Sequence, residues 1–201
     1  MMKSRAEENA FREKFRPALW RCASAIGGLF GLAAGAEFAM GRRLWGISGE
    51  PGLWSGDILS EHNSQYMADP YTFSHITHGV ILYGIMAVTA RRLPVRIRAI
   101  LAVALECAWE VVENTDWVIR RYRAETISLH YYGDSVMNSM CDIVAALAGF
   151  LIAWLLPPRL AVAFVVILEA FLALWIRDGV FLNLLMLLYP IPAIRAWQSA
   201  A

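Results

Sequence analysis

Five apolar stretches constrain this chain more than any other feature, because each is about long enough to cross a bilayer. They run roughly over Leu19–Met40, Phe73–Ala90, Ala99–Ile119, Val136–Leu156 and Leu160–Ile176. A hydrocarbon core of about 30 Å needs about 20 mostly apolar residues in one helix. Inside it every backbone N–H and C=O must be paired within the protein, which leaves helices for stretches of this length. The expected fold is therefore all-α, a polytopic transmembrane helix bundle of five spans. A sixth apolar run, Val180–Tyr189, is too short to cross unaided and is expected to form a short re-entrant or sixth helix. The chain divides into a basic tail at residues 1–18 and a single transmembrane helical domain at residues 19–201, with a long loop at about residues 41–72.

Composition excludes several classes. Hydrophobic residues make up 58% and charged residues only 17% of the 201, with a mean hydropathy of +0.47. Soluble domains are about half apolar and about a quarter charged. Eighteen basic residues against seventeen acidic ones leave a net charge of +1, so no cationic excess exists to hold the phosphates of a nucleic acid. Cys22, Cys107 and Cys141 match no disulfide, metal or redox spacing and read as small apolar side chains.

The basic residues set an orientation. Lys3, Arg5, Arg12, Lys14, Arg16, Arg21, Arg91, Arg92, Arg96, Arg98 and Arg159 fall on one side of the spans. The opposite loops hold Arg42, Arg43, Arg120, Arg121 and Arg123. Cytoplasmic loops carry the excess, so the N-terminus is predicted to be cytoplasmic and the loop at 41–72 to lie outside. Arg195 leans toward a cytoplasmic C-terminus. Ala34-Gly35-Ala36 resembles a signal-peptide cleavage site, but the preceding tail and apolar stretch are both too long for one. Gly27, Gly31 and Gly35 form a stripe that is expected to pack closely against another helix of the chain.

Ionisable side chains within apolar helices are costly, by about 2.5–3.5 kcal/mol for a charged residue at a helix centre, and are functional candidates. At about 100° per residue, Glu106, Glu110, Glu113 and Trp117 fall within a sector of roughly 60° on the third span. Three carboxylates on one stripe require protons or neighbouring cations. Arg120, Arg121 and Arg123 folding back would be a purely structural answer. His75 and His78 share a face of the second span at i and i+3, which suits joint metal ligation or a proton relay. Asp134, Asn138 and Asp142 step by four along the fourth span, and Ala145 and Gly149 continue that face. Asp134 and Ser135 also suit the N-cap of that span. Glu37 and Glu169 are further acids within apolar stretches, and Arg177–Asp178 reads as an interfacial pair.

The second and fourth spans start on the outer side and the third ends there. His75, His78, Glu110, Glu113, Asn114, Asp134, Asn138 and Asp142 are therefore expected to line one polar pocket in the outer half of the membrane, with Glu106 deeper.

At these residues the chain resembles a bacterial multi-pass membrane family of unknown function. The resemblance rests on Ser64-Gln65, Tyr71–Gly79, Ala108–Asn114 and the block Tyr122–Asp142. A tail of Glu169, Arg177-Asp178, Asn183 and Arg195–Gln198 also fits, while Tyr66 and Pro70 stand where His and Trp are expected. It implies a bacterial plasma (inner) membrane location and no known activity. More distantly, the order of a His in an early helix, an acid in the next, then Arg, Asp and Asn is similar to the VanZ-like membrane proteins, at the level of fold analogy alone.

Three functions compete at this stage. The first is an intramembrane hydrolase or transferase acting on a lipid-like substrate, with a divalent metal on His75, His78 and Asp142. Glu110, Glu113 or Asp134 would then supply acid–base chemistry. In a metal-free form Ser135 is the exposed nucleophile. The second is a small proton-coupled carrier. The third is a structural or accessory membrane protein whose acids pair with the arginines.

Overall fold

The computed structural model describes residues 5–46 and 49–199. Lys3 lies outside the described residues, as do the side chains of residues 5–18. Among the described residues the architecture is all-helical. The order is α1 (Arg5–Ala39), α2 (Thr72–Thr89), α3 (Val95–Glu113), α4 (Asp116–Glu125), α5 (Val136–Leu155), α6 (Pro158–Trp175), α7 (Val180–Leu188) and α8 (Pro192–Ser199). The backbone of α1 runs continuously from the basic segment into the first apolar stretch.

Among the described residues, three helical segments are long and apolar enough to cross a membrane: Leu19–Ala39, Val136–Leu155 and Pro158–Trp175. The first and third keep most of their apolar surface on the outside of the bundle, where Leu32, Val166, Ile167 and Leu174 are all exposed. Contiguous apolar surface of this kind marks membrane association. Helices α2 and α3 have spanning lengths of 18 and 19 residues but carry the polar side chains described below.

The third apolar stretch is not one helix, contrary to the sequence-based expectation. Asn114 ends α3, and Thr115 starts α4 by accepting a hydrogen bond from Val118 N. The N-cap hydroxyl satisfies a backbone donor that a continuous helix would have paired itself. Trp117 consequently leaves the stripe of Glu106, Glu110 and Glu113 and stands 68% exposed on α4. The run at Val180 forms the nine-residue α7, too short to span.

The α2–α5 pair is the centre of the bundle and its most extensive helix contact. A Cβ on Gly79 would strike the Ala146 carbonyl, and one on Gly149 would strike the Ile76 carbonyl. Helix α1 closes on α3 and α5 around Ala33, Val103, Cys107 and Ile143. Helix α6 closes on α2 and α5 around Val80, Ala153 and Ala161. The glycine stripe of α1 does not take part. A Cβ on Gly27, Gly31 or Gly35 would meet nothing within 4 Å, so the expected close packing within the chain is absent at these positions.

The loop between α1 and α2 folds onto the start of α5. A helix leaves its first N–H groups unpaired, and here carbonyls of the loop accept them: Ser64 O from Ser135 N, Arg43 O from Val136 N and Leu44 O from Met137 N. Ser64 adopts a left-handed φ of 61°, and its own N–H donates to Asp69 Oδ2 at 2.8 Å. That conformation is uncommon outside glycine. Here the two hydrogen bonds, from either side of the same residue, hold it.

Candidate functional site

A cavity of about 310 Å³ opens at the end of the bundle where α2 and α5 begin and α3 ends. Helix α2 supplies His75 and His78, and α3 supplies Glu106, Trp109 and Glu113. Helix α5 supplies Asn138 and Asp142, while α4 and α7 close the side with Tyr122, Val180 and Asn183. The close α2–α5 approach sets how far His75 stands from Asp142.

The histidines share one acceptor. His75 Nδ1 lies 2.7 Å and His78 Nδ1 2.9 Å from the same Glu106 Oε1. His75 Nδ1 is also 3.2 Å from Glu110 Oε1, and His75 Nε2 is 3.9 Å from Asp142 Oδ2. Among the described residues, two overlapping groups that share His75 have ligand atoms close enough to hold a cation: His75, His78 and Glu106, or His75, Glu110 and Glu113. Glu110 Oε1 and Asp142 Oδ1 are buried without a hydrogen-bond partner. Glu110 is 1% exposed. A buried carboxylate oxygen with no donor costs free energy that a proton or a cation would recover.

The arginines do not neutralise this cluster. Arg121 pairs with Glu125 and donates to the Leu187 carbonyl, Arg123 lies over the Tyr132 ring, and Arg42 pairs with Asp116. Among the described residues, the only ion pairs reaching Glu106, Glu110 or Asp142 come from His75 and His78.

Other sequence-predicted residues occupy different places. Asn114 is fully buried behind the cavity wall, where it donates to Asp134 Oδ2 and accepts from Asp134 N. Asp134 lines the cavity and also accepts from Tyr131 Oη at 2.9 Å. Burial pushes its carboxyl up to about 7, against the opposing hydrogen bond from Tyr131. Ser135 is not the exposed nucleophile of the metal-free scheme. It is 1% exposed, donates Oγ to the Gln65 carbonyl and accepts from Asn138 N as the N-cap of α5. Asn138 reaches the cavity, yet its amide donates to the Tyr66 carbonyl. Tyr66 itself stacks on His62 away from the cluster.

Glu37 is buried with neither carboxylate oxygen partnered, but it faces Ser139 rather than the cavity. Glu169 accepts from Thr77 Oγ1 at 3.0 Å. Arg177 and Asp178 do not form the expected pair. Arg177 donates to the Trp197 carbonyl, whereas Asp178 accepts from Tyr71, Asn183 and Gln198.

Sequence reasoning passed over Asp69, which is buried and accepts from Ser64 N and Tyr71 N. It also passed over Ser74, buried in the cavity wall with Oγ unpartnered. An Asp three residues before a helix start is a readable turn signal. Nothing in the local sequence distinguishes Ser74 from any helix serine.

Residues 37–200 match the family described as "Protein of unknown function (DUF2585)". The UPF0314 protein of Paracoccus denitrificans (strain Pd 1222) is 50% identical over 148 residues, covering 74% of this chain and 77% of that protein. The UPF0314 protein R03235 of Rhizobium meliloti (strain 1021) is 44% identical over 185 residues, covering 92% of each chain. That of Brucella anthropi is 48% identical over 147 residues, covering 73% of this chain and 74% of that protein. No solved structure matches the chain. With the match running from the Glu37 turn of α1 to the end of α8, and with relatives this similar along most of its length, the chain belongs to this bacterial family of unknown function, whose members carry the UPF0314 name.

Proposed function

We propose that the protein is a multi-pass protein of the bacterial plasma membrane that holds a divalent metal ion in its outward-facing cavity. It uses that ion for hydrolysis or group transfer on a lipid-like substrate. The observation that carries this reading is the convergence of two histidine Nδ1 atoms on one Glu106 oxygen, beside the unpartnered oxygens of Glu110 and Asp142.

The separations of 2.7, 2.9 and 3.2 Å between these nitrogens and oxygens suit neighbouring ligands of one ion. Zinc binds such atoms at about 2.0–2.2 Å. Imidazole and carboxylate together fit zinc or manganese better than a calcium cage of oxygens alone. His75, His78 and Glu106 would hold the ion, leaving Asp142 or Glu113 as general base. An ion held there would supply Lewis-acid polarisation of an ester or phosphoryl oxygen. Asp142 or Glu113 would take the proton of the attacking water and return it to the leaving oxygen.

The cavity lies at the opposite end of α2 and α3 from Arg91, Arg92, Arg96 and Arg98. By the rule that cytoplasmic loops carry the basic residues, this supports an outer position for the cavity and a cytoplasmic N-terminus.

The test is the metal content of the detergent-purified full chain beside a folded His75→Ala/His78→Ala variant. About one ion per chain, lost in the variant, is expected. No ion in either protein after incubation with zinc, manganese and magnesium would overturn the reading.

A further inference from the structure

The polarity of the cavity wall is graded along the helices. At the loop end stand Asn63, Ser64, Ser128 and Asp134; toward the helix midpoints stand Ile81, Leu82 and Leu105. Helix α7 adds Leu184 on the same side as this apolar part.

Two of these apolar side chains also keep much of their surface accessible. Leu105 is 49% and Leu184 43% exposed, although both line the cavity. Helix α3 packs chiefly on α1, α5, α2 and α4, and α7 chiefly on α4 and α2; any contact between α3 and α7 is slighter than these. Their seam is the side on which a slot from the polar chamber to the outer apolar surface would open.

Among the described residues, Glu106, Glu113, Asp134 and Asp142 line the chamber, and no lysine or arginine does. Its polar wall otherwise offers hydroxyl and amide groups. Carboxyls without a lysine or arginine among them offer an anionic headgroup no fixed positive partner.

From these observations we infer that the site takes a neutral amphiphile, an acyl chain with an ester- or hydroxyl-bearing headgroup. It enters sideways from the bilayer through the slot between α3 and α7. At about 310 Å³ the cavity is at the small end of ligand pockets, which span about 300–1,000 Å³. It encloses a headgroup and the first methylenes, and the rest of the chain stays in the slot. The inference deepens the lipid-like substrate of the proposed function and rests on that reading for its chemistry, but not for its binding.

Photo-crosslinking of the full chain in nanodiscs tests it. The probes are a monoacylglycerol carrying a diazirine near the ester and a lysophosphatidic acid with the same chain. The expected result is monoacylglycerol adducts on Trp109, His78 or Leu82, at least fivefold above those of the lysophosphatidic acid. Leu105→Trp/Leu184→Trp should lower these interior adducts at least fivefold and leave adducts on outward-facing Leu174 and Ile167 unchanged. Leu184→Trp alone serves if the double variant does not fold. Adducts confined to the outer faces, or interior adducts unaffected by the tryptophans, would overturn the entry route. Equal interior labelling by lysophosphatidic acid would overturn the neutral headgroup. Interior adducts in a protein that binds no metal would remove the metal reading while this inference stands; bound metal without interior adducts would do the reverse.

Discussion

Gly79 of α2 and Gly149 of α5 bring two helix backbones into direct contact, each lying against a carbonyl of the opposite helix. His75 and His78 sit within one turn of this contact and Asp142 two turns from it, so the same packing that joins the helices sets the His75–Asp142 separation of 3.9 Å. A methyl group at either glycine must push the helices apart. Overpacking of a tight core costs about 1–3 kcal/mol or more. Gly79→Ala and Gly149→Ala are each expected to lower the thermal midpoint in detergent by several degrees. Gly84→Ala is the control, since a Cβ there meets nothing within 4 Å. Exposed helix glycines gain about 0.5–1 kcal/mol on becoming alanine, so this variant should be unchanged or slightly more stable. Equal effects at all three sites would remove the packing explanation.

Glu106 is the acceptor common to both histidines. Glu106→Gln keeps its shape but removes the charge and one acceptor oxygen. Loss of a carboxylate that ligates or orients metal-binding histidines typically costs about 10–100-fold in affinity. Zinc titration by calorimetry should show a loss in that range with the helical circular dichroism unchanged. An unaltered affinity in a folded variant would separate Glu106 from metal binding.

Ser135 acts as a cap. Ser135→Ala should cost about 1 kcal/mol of stability, the usual loss for an N-cap serine, and should leave metal content as it was. Once a substrate is in hand, an activity loss of a hundredfold or more in a folded Ser135→Ala protein would bring back the nucleophile role that burial argues against.

Asp178 makes stability depend on pH. Burial raises its carboxyl to about 6 against hydrogen bonds from Asn183, Gly179 and Tyr71, with Glu169 adding to the rise. Its unfolded value is about 3.9. The folded protein therefore holds this proton more tightly. The resulting stabilisation is complete below about pH 4, declines as pH rises, and is lost above about pH 6. The size is on the order of 2–3 kcal/mol. Between pH 4.5 and 7.5 the melting temperature of the parent should fall relative to that of Asp178→Asn. Parallel curves would show that Asp178 titrates alike in both states.

Much of the helical layout was legible because hydropathy and period are local properties. An apolar run of 20 residues reports a helix wherever its neighbours lie, and steps of three and four place Glu106, Glu110 and Glu113 on one face of it. The order of helix starts and ends further placed the His75–His78 pair, those acids and Asp142 at one end of the bundle. What the sequence could not decide was which polar atoms remain free once the chain has folded. The Ser135 hydroxyl is engaged by Gln65, seventy residues away, and no spacing rule reveals that. Thr115 ends the third apolar stretch as a cap although hydropathy runs on past it. The glycines of α1 resemble a packing stripe as closely as Gly79 and Gly149 do, yet among the described residues the latter pair lies against a helix backbone and the former meets nothing. Period and composition determined the helices and their polar faces. Tertiary packing decided which of those faces meet, because hydrogen-bond satisfaction and close contact depend on residues distant in sequence.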